Sequence, residues 1–277
     1  MNKKTEDISA EYAAAIHAEK RGMVSATGKA KFADYSASDV DALPPGLLET
    51  SFGCGNPVAF SAVMPGQTVL DLGCGAGLDL VLAAEKVTPQ GSVIGVDITD
   101  EMVSKARQNV AASGHANIDV RKGIIEALPV DTGSVDWVVS NCVINLSSEK
   151  QKVFAEIARV LKPGGRMLVS DIVAENLPYW VRRSGLLTAA CAGGAISESE
   201  YFSGLSEAGL QNFHVLARQH YEPVQMAAVA LDSMPTRAAD LSCCGKPITK
   251  PVLETLAKPI ANKLWSARIY AEKSQAN

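Results

Sequence analysis

The chain has 277 residues, 47% hydrophobic and 20% charged, with a formal net charge of −4. It is long enough to bury a full hydrophobic core, and its composition is ordinary for a globular enzyme. The absence of a basic excess argues against a nucleic-acid partner, which needs clustered Lys and Arg to displace counterions. No segment has the apolar length of a signal peptide or a membrane span, so the sequence predicts a soluble, cytoplasmic protein with no membrane partner.

Residues 1–50 read as an N-terminal cap or leader, with a helix expected over 10–20 and a turn at Leu43-Pro44-Pro45-Gly46. From Gly66 onward, strands and helices alternate. Thr68-Val69-Leu70-Asp71-Leu72 is a short apolar run closed by glycines, as a buried parallel strand should be. Helical spacing follows over 78–87, then a second strand over 92–97. A helix over 100–112 has Thr99 as its N-cap. Third and fourth strands are expected over 117–121 and 135–140. A helix over 148–161 should stop at Lys162-Pro163-Gly164-Gly165, where proline and glycine break it. A fifth strand covers 166–172. Beyond it the pattern predicts helices over 178–191 and 198–207, and last strands over 213–217 and 264–271. Parallel crossovers need helices, so the fold class expected is α/β, a doubly wound, mostly parallel Rossmann-like sheet. The expected organisation is a main domain over 51–210 and a smaller C-terminal region over 211–277. That region completes the sheet and carries an inserted Cys243-Cys244 loop.

The strongest local signal is Asp71-Leu72-Gly73-Cys74-Gly75-Ala76-Gly77 at a strand-to-helix turn. Glycines let the backbone approach a ligand closely, and the helix start presents unpaired N–H groups. A dinucleotide fingerprint wants a further glycine where Leu78 stands. The second strand ends in Asp97, placed to accept hydrogen bonds from ribose hydroxyls. Together these features predict a nucleoside-containing cofactor.

Cysteine placement suggests the acceptor. Cys142 lies just past the fourth strand, Cys54 in the turn-rich Phe52-Gly53-Cys54-Gly55-Asn56-Pro57, and Cys191 in Ala190-Cys191-Ala192-Gly193-Gly194. Three thiols in loops could converge over a soft, thiophilic centre. Each also has a plain reading, because free cysteine is often only a buried filler. Cys74 reads as core or turn backbone. The adjacent Cys243 and Cys244 suggest an exposed loop pair. In a cytosolic chain the six cysteines read as thiols, ligands or reactive groups rather than a disulfide framework. No histidine stands at a strand end expected to bear a site, and His115 reads as a surface turn residue.

DLGCGAG, GVD and LKPGG resemble the motifs of class I methyltransferases. On that resemblance the cofactor is S-adenosyl-L-methionine: Asp71, Gly73, Gly75 and Gly77 approach its methionine and ribose parts and Asp97 takes the ribose. Met102 and Ile125 flank adenine, Glu126 lies near its exocyclic amine, and Asn141 belongs to the same cofactor set. Simple packing is the other reading of Met102 and Ile125. GCGNP, SNCVINL, SDIV and CAGGAISESEYF are together similar to the arsenite S-adenosylmethionine methyltransferases, from about Leu43 to Gly209. The resemblance implies methylation of trivalent arsenic, presented as thiol adducts and held by Cys54, Cys142 and Cys191, in arsenic detoxification. It also implies glutathione or thioredoxin as the thiol reductant. Members of that family often carry further cysteines in the N-terminal segment, and this sequence has none before Cys54. The rival expectations are a methyltransferase for a small organic acceptor such as a quinone or sterol, and a non-enzymatic metalloid-binding thiol protein.

Overall fold

The structure is a computed structural model, and it describes residues 55–177, 194–220 and 263–275 with scattered positions elsewhere. Cys54, Cys191, Cys244, the helices expected over 10–20 and 178–191, and nearly all of the N-terminal cap lie outside the described residues.

Seven strands form one sheet: β1 (Thr68–Leu72), β2 (Ser92–Asp97), β3 (Ile118–Lys122), β4 (Val135–Asn141), β5 (Leu161–Ala174), β6 (Leu210–His220) and β7 (Leu264–Lys273). Their order is β3-β2-β1-β4-β5-β7-β6. The first five pair in parallel, and β7 enters antiparallel between β5 and β6. The order reverses at β1, so the crevice beyond the ends of β1 and β4 is where an open α/β sheet binds its ligand.

Among the described residues five α-helices accompany the sheet: α1 (Pro57–Phe60), α2 (Leu78–Val87), α3 (Asp100–Ser113), α4 (Lys150–Val160) and α5 (Glu198–Glu207). Apolar residues alternate between the sheet faces, as the two-residue period of a strand requires. Leu70, Leu72 and Val138 pack with Phe154, Ile157, Tyr201 and Leu205 on the face of α4 and α5. Val69, Trp137 and Val139 pack with Leu80, Val81, Ala84, Val103 and Ala106 on the face of α2 and α3. Each buried Leu or Val contributes about 1.5–3 kcal/mol, so both layers hold the strand ends firmly.

Two expected elements change in detail. Helix α4 stops before Leu161, whose backbone is already extended, and the chain goes straight into β5. Leu161 pairs with Val135, whereas Arg166 pairs with Trp137, so Lys162-Pro163-Gly164-Gly165 bulges out of one longer strand instead of preceding a shorter one. Thr99 holds the N-cap position of α3 but makes no side-chain cap bond to the helix. Its hydroxyl is engaged with Asp97 instead. Near the C-terminus, the backbone of Ser242–Cys243 pairs with Lys246–Pro247. No helix among the described residues is long and apolar enough to cross a membrane.

Candidate active site

The glycine turn joins β1 to α2. Gly73, Gly75 and Gly77 all take positive φ, at 67°, 51° and 92°, a region that costs other residues roughly 1–2 kcal/mol. The turn is fastened to the end of β2: Gly73 N–H and Cys74 N–H donate to Val96 O at 2.8 and 3.1 Å. Gly75 N–H donates to Asp97 Oδ2 at 2.9 Å, and Thr99 N–H donates to Asp97 Oδ1 at 2.9 Å. Asn109 on α3 donates to Ala76 O at 2.8 Å, tying the turn to a second helix. A Cβ on Gly75 would meet no heavy atom within 4 Å, so the turn opens onto free space there.

Gly73 has a different reason. A Cβ there would lie 2.4 Å from a methyl of Val143, the residue after Cys142. The glycine turn and the loop of Cys142 therefore pack backbone to side chain. Gly73→Ala is expected to cost about 2 kcal/mol or more, from the left-handed φ and the clash together. Thermal unfolding and donor titration should both register it, and an unchanged melting temperature would contradict the packing.

Three acidic side chains, Asp71, Asp79 and Asp97, are buried around the turn. Burial raises the Asp71 pKa well above the usual carboxylate range, and the neighbouring Asp79 and Asp97 carboxylates raise it further. Asp97 is raised by burial as well, against the N–H groups of Thr99 and Gly75 that favour its ionised form. The Cys74 thiol is free and buried; burial and the nearby Asp97 and Asp71 push its pKa up, which makes it an inert filler. A positively charged ligand offsets the mutual repulsion of three buried carboxylates. A sulfonium that also carries an ammonium suits this donor set, and so does a ribose against Asp97. Met102 and Ile125 are both buried. Glu126 Oε1 accepts from Ser147 Oγ at 2.5 Å, linking the segment after β3 to the loop of Cys142.

Asn141 has a role that its sequence position did not suggest. Its Oδ1 accepts from Gly55 N–H at 3.1 Å, and its Nδ2 donates to Gly55 O at 2.5 Å and to Asp79 Oδ2 at 3.2 Å. It clamps the chain neighbour of Cys54 against the end of β4. On the opposite side, a Cβ on Gly55 would lie 2.5 Å from Ser170 Oγ. Cys142 follows directly, buried, at a φ of 63° that is uncommon outside glycine. Its N–H donates to Ser170 O at 2.8 Å. Cys142 is disulfide-bonded, and its partner sulfur lies outside the described residues. The cysteines were expected as thiols, ligands or reactive groups rather than a disulfide framework, and Cys142 departs from that by sitting in a disulfide. Among the described residues no three His, Cys, Asp or Glu side chains form a metal-holding group. The set Cys54, Cys142 and Cys191 is represented there by Cys142 alone. His115 sits after α3 and pairs with Glu85 at 3.1 Å, away from the turn.

Residues 142–147 rest on a second buried group that sequence reading missed. Asn145 Nδ2 donates to Asp171 Oδ1 at 2.7 Å and to Ile172 O at 2.5 Å. Ile172 N–H also donates to Asp171 Oδ1, at 2.9 Å, and Tyr201 OH approaches Oδ2 at 3.4 Å. Burial pushes the Asp171 pKa up to about 7, against an opposing pull from Lys150. A carboxyl raised in the folded state withdraws stability as pH climbs from its ordinary value near 4 to the folded value, and the loss is complete above about 7. Wild type should therefore lose, relative to Asp171→Asn, on the order of a few kcal/mol of unfolding free energy between pH 4 and pH 7. Denaturant melts at both pH values check this; parallel stabilities of the two proteins would contradict it.

Similarity to known proteins agrees with this geometry. The methyltransferase domain family matches residues 64–218. An arsenite methyltransferase of Halobacterium salinarum is 48% identical over 178 residues, 64% of this chain and 45% of that protein. A demethylmenaquinone methyltransferase of Shouchella clausii is 34% identical over 118 residues, 43% of this chain and 50% of that protein. The chain spans about half the length of these curated relatives. The crystal structure of CrArsM, an arsenic(III) S-adenosylmethionine methyltransferase from Chlamydomonas reinhardtii, superposes with a TM-score of 0.68. It is 28% identical, and the match covers 87% of this chain and 73% of that one. The cofactor is S-adenosylmethionine, and the chain belongs to the methyltransferase domain family, with the seven-stranded sheet of its class I members.

Proposed function

We propose that the protein methylates trivalent arsenic, arsenite and its methylated forms, with S-adenosylmethionine as donor, and that it does so in arsenic detoxification. One observation carries the reading. Gly55, next to Cys54, is clamped by Asn141 at the strand end that bears Cys142, and the loop of Cys142 packs on the cofactor turn through Val143 and Gly73. The likeness to arsenite methyltransferases supports the same choice of acceptor.

On this reading Cys54, Cys142 and Cys191 hold arsenic as thiolates. Soft sulfur ligands select such a centre over harder cations. Arsenic bound by three sulfurs is pyramidal and retains a lone pair, so the acceptor needs no general base. When bound, S-adenosylmethionine supplies an electrophilic methyl carbon on a sulfonium. Asp97, Asp71 and the turn backbone orient it, with Met102, Ile125 and Glu126 at the adenine. The chain contributes chiefly proximity and alignment, a term worth up to ~7–11 kcal/mol. Cys142 must be reduced before it can ligate, so a thiol reductant, glutathione or thioredoxin, works with the enzyme. Arsenic arrives as a thiol adduct whose ligands exchange onto the protein.

The test incubates reduced protein with labelled S-adenosylmethionine, glutathione and arsenite. Labelled methylarsenicals are expected. Methyl transfer to a quinone with none to arsenite would move the assignment to the organic-acceptor class, and metalloid binding without turnover would make it a binding protein.

A further inference from the structure

The cluster around Asp171 is not needed to hold the sheet together, because β5 and β7 already pair continuously through it, with Asp171 opposite Ala267. An apolar residue there would avoid burying a carboxyl. What the carboxyl does instead is join three segments. Through Asn145 it reaches the Cys142 loop, through the Ile172 N–H its own strand, and through Tyr201 helix α5. Asn145 O in turn receives Gly194, three residues after Cys191, so closely that a Cβ on Gly194 would lie 2.0 Å from that oxygen. Ala174 N–H donates to Ile196 O at 3.0 Å and fixes the same segment to β5. Lys150 Nζ closes the loop from α4, donating to Ser147 O at 2.9 Å and Asn145 O at 3.4 Å. The Asn145 amide has its orientation dictated by two acceptors, and its Oδ1 is buried with no hydrogen-bond partner among the described residues.

We propose that Asp171 is a positioning residue that sets the acceptor loop against the segment leading from Cys191, and so fixes the spacing at which a thiophilic acceptor is gripped. The proposal rests on the arsenic reading above and deepens it. It touches neither the donor turn nor the reacting atoms. Its signature is therefore a change in acceptor affinity with donor affinity unchanged.

The experiment uses the reduced full chain and compares Asp171→Ala, Asp171→Asn and Tyr201→Phe with wild type. Asp171→Ala is expected to raise KM for arsenite roughly tenfold, the scale of one hydrogen bond to a charged group, with KM for S-adenosylmethionine unchanged. Asp171→Asn keeps an acceptor oxygen toward Asn145 and Ile172, and should restore most of the loss. Unchanged arsenite KM, or parallel losses for donor and acceptor, would overturn the proposal. Should Asp171→Ala not fold, Tyr201→Phe decides: it removes one oxygen from a packed ring and must still raise arsenite KM selectively. If wild type methylates no arsenite, the arsenic reading fails by itself. The same variants are then compared by the rate at which iodoacetamide alkylates Cys142 in reduced protein, read by peptide mass spectrometry. That rate should rise in Asp171→Ala, because the loop bearing Cys142 is no longer held, and equal rates would sink the positioning role independently.

Discussion

Cys142→Ser is expected to lower methyl transfer to arsenite by about a thousandfold or more while leaving S-adenosylmethionine binding intact. The magnitude follows from proximity: a metalloid not held beside the donor loses much of a term worth ~7–11 kcal/mol, and each 1.36 kcal/mol is tenfold in rate. A serine hydroxyl is a hard, weakly acidic oxygen and does not replace a soft thiolate. The side chain is buried at the end of β4, on a backbone fastened by Ser170 O and packed through Val143 onto Gly73. Labelled-methyl assays with isothermal titration of the donor separate the two effects. Retained turnover in Cys142→Ser would remove the thiolate acceptor site from consideration.

Asp97→Ala is expected to weaken S-adenosylmethionine binding by roughly a hundredfold or more. In the structure its carboxylate organises the turn by accepting from Gly75 and Thr99 N–H, and on the proposed function it also accepts from the ribose hydroxyls. Hydrogen bonds to a charged group contribute about 1.5–3 kcal/mol each, and 1.4 kcal/mol is tenfold in affinity. Two such bonds therefore exceed a hundredfold before the turn relaxes. Asp97→Asn retains one acceptor and should fall between the two. Calorimetric titration of the donor gives the answer directly, and an affinity equal to wild type would show that the ribose is held elsewhere.

Oxidation of Cys142 adds a condition to the methylation assay alone, because a disulfide sulfur does not ligate a metalloid. Donor binding, which depends on Asp97 and the glycine turn, should be insensitive to reductant. Arsenite methylation should require it.

Much of this architecture was legible in the residues. Thr68–Leu72, Leu78–Val87, Ser92–Asp97 and Glu198–Glu207 lie within the limits their periodicity gives. Burial on both sheet faces writes an apolar run into a parallel strand, and helical spacing writes a stripe. The glycine turn and Asp97 were readable for a similar reason: positive φ and close approach admit almost only glycine, and a strand-end acid is conspicuous among apolar neighbours. What tertiary structure alone decided are the contacts between distant segments. Nothing local to Asn141 says that its amide is spent on Gly55, 86 positions away. Nothing in Ser-Asp-Ile-Val says that Asp171 gathers Asn145 and Tyr201. Asp79 looks like an ordinary acid in a helix first turn until packing places it beside Asp71. The antiparallel entry of β7 beside β5 was equally hidden, because strand order depends on which edges meet and not on either strand's own composition. Sequence periodicity reports which face of an element is buried; it carries no information about what lies against that face, and the acceptor side of this protein is made of such encounters.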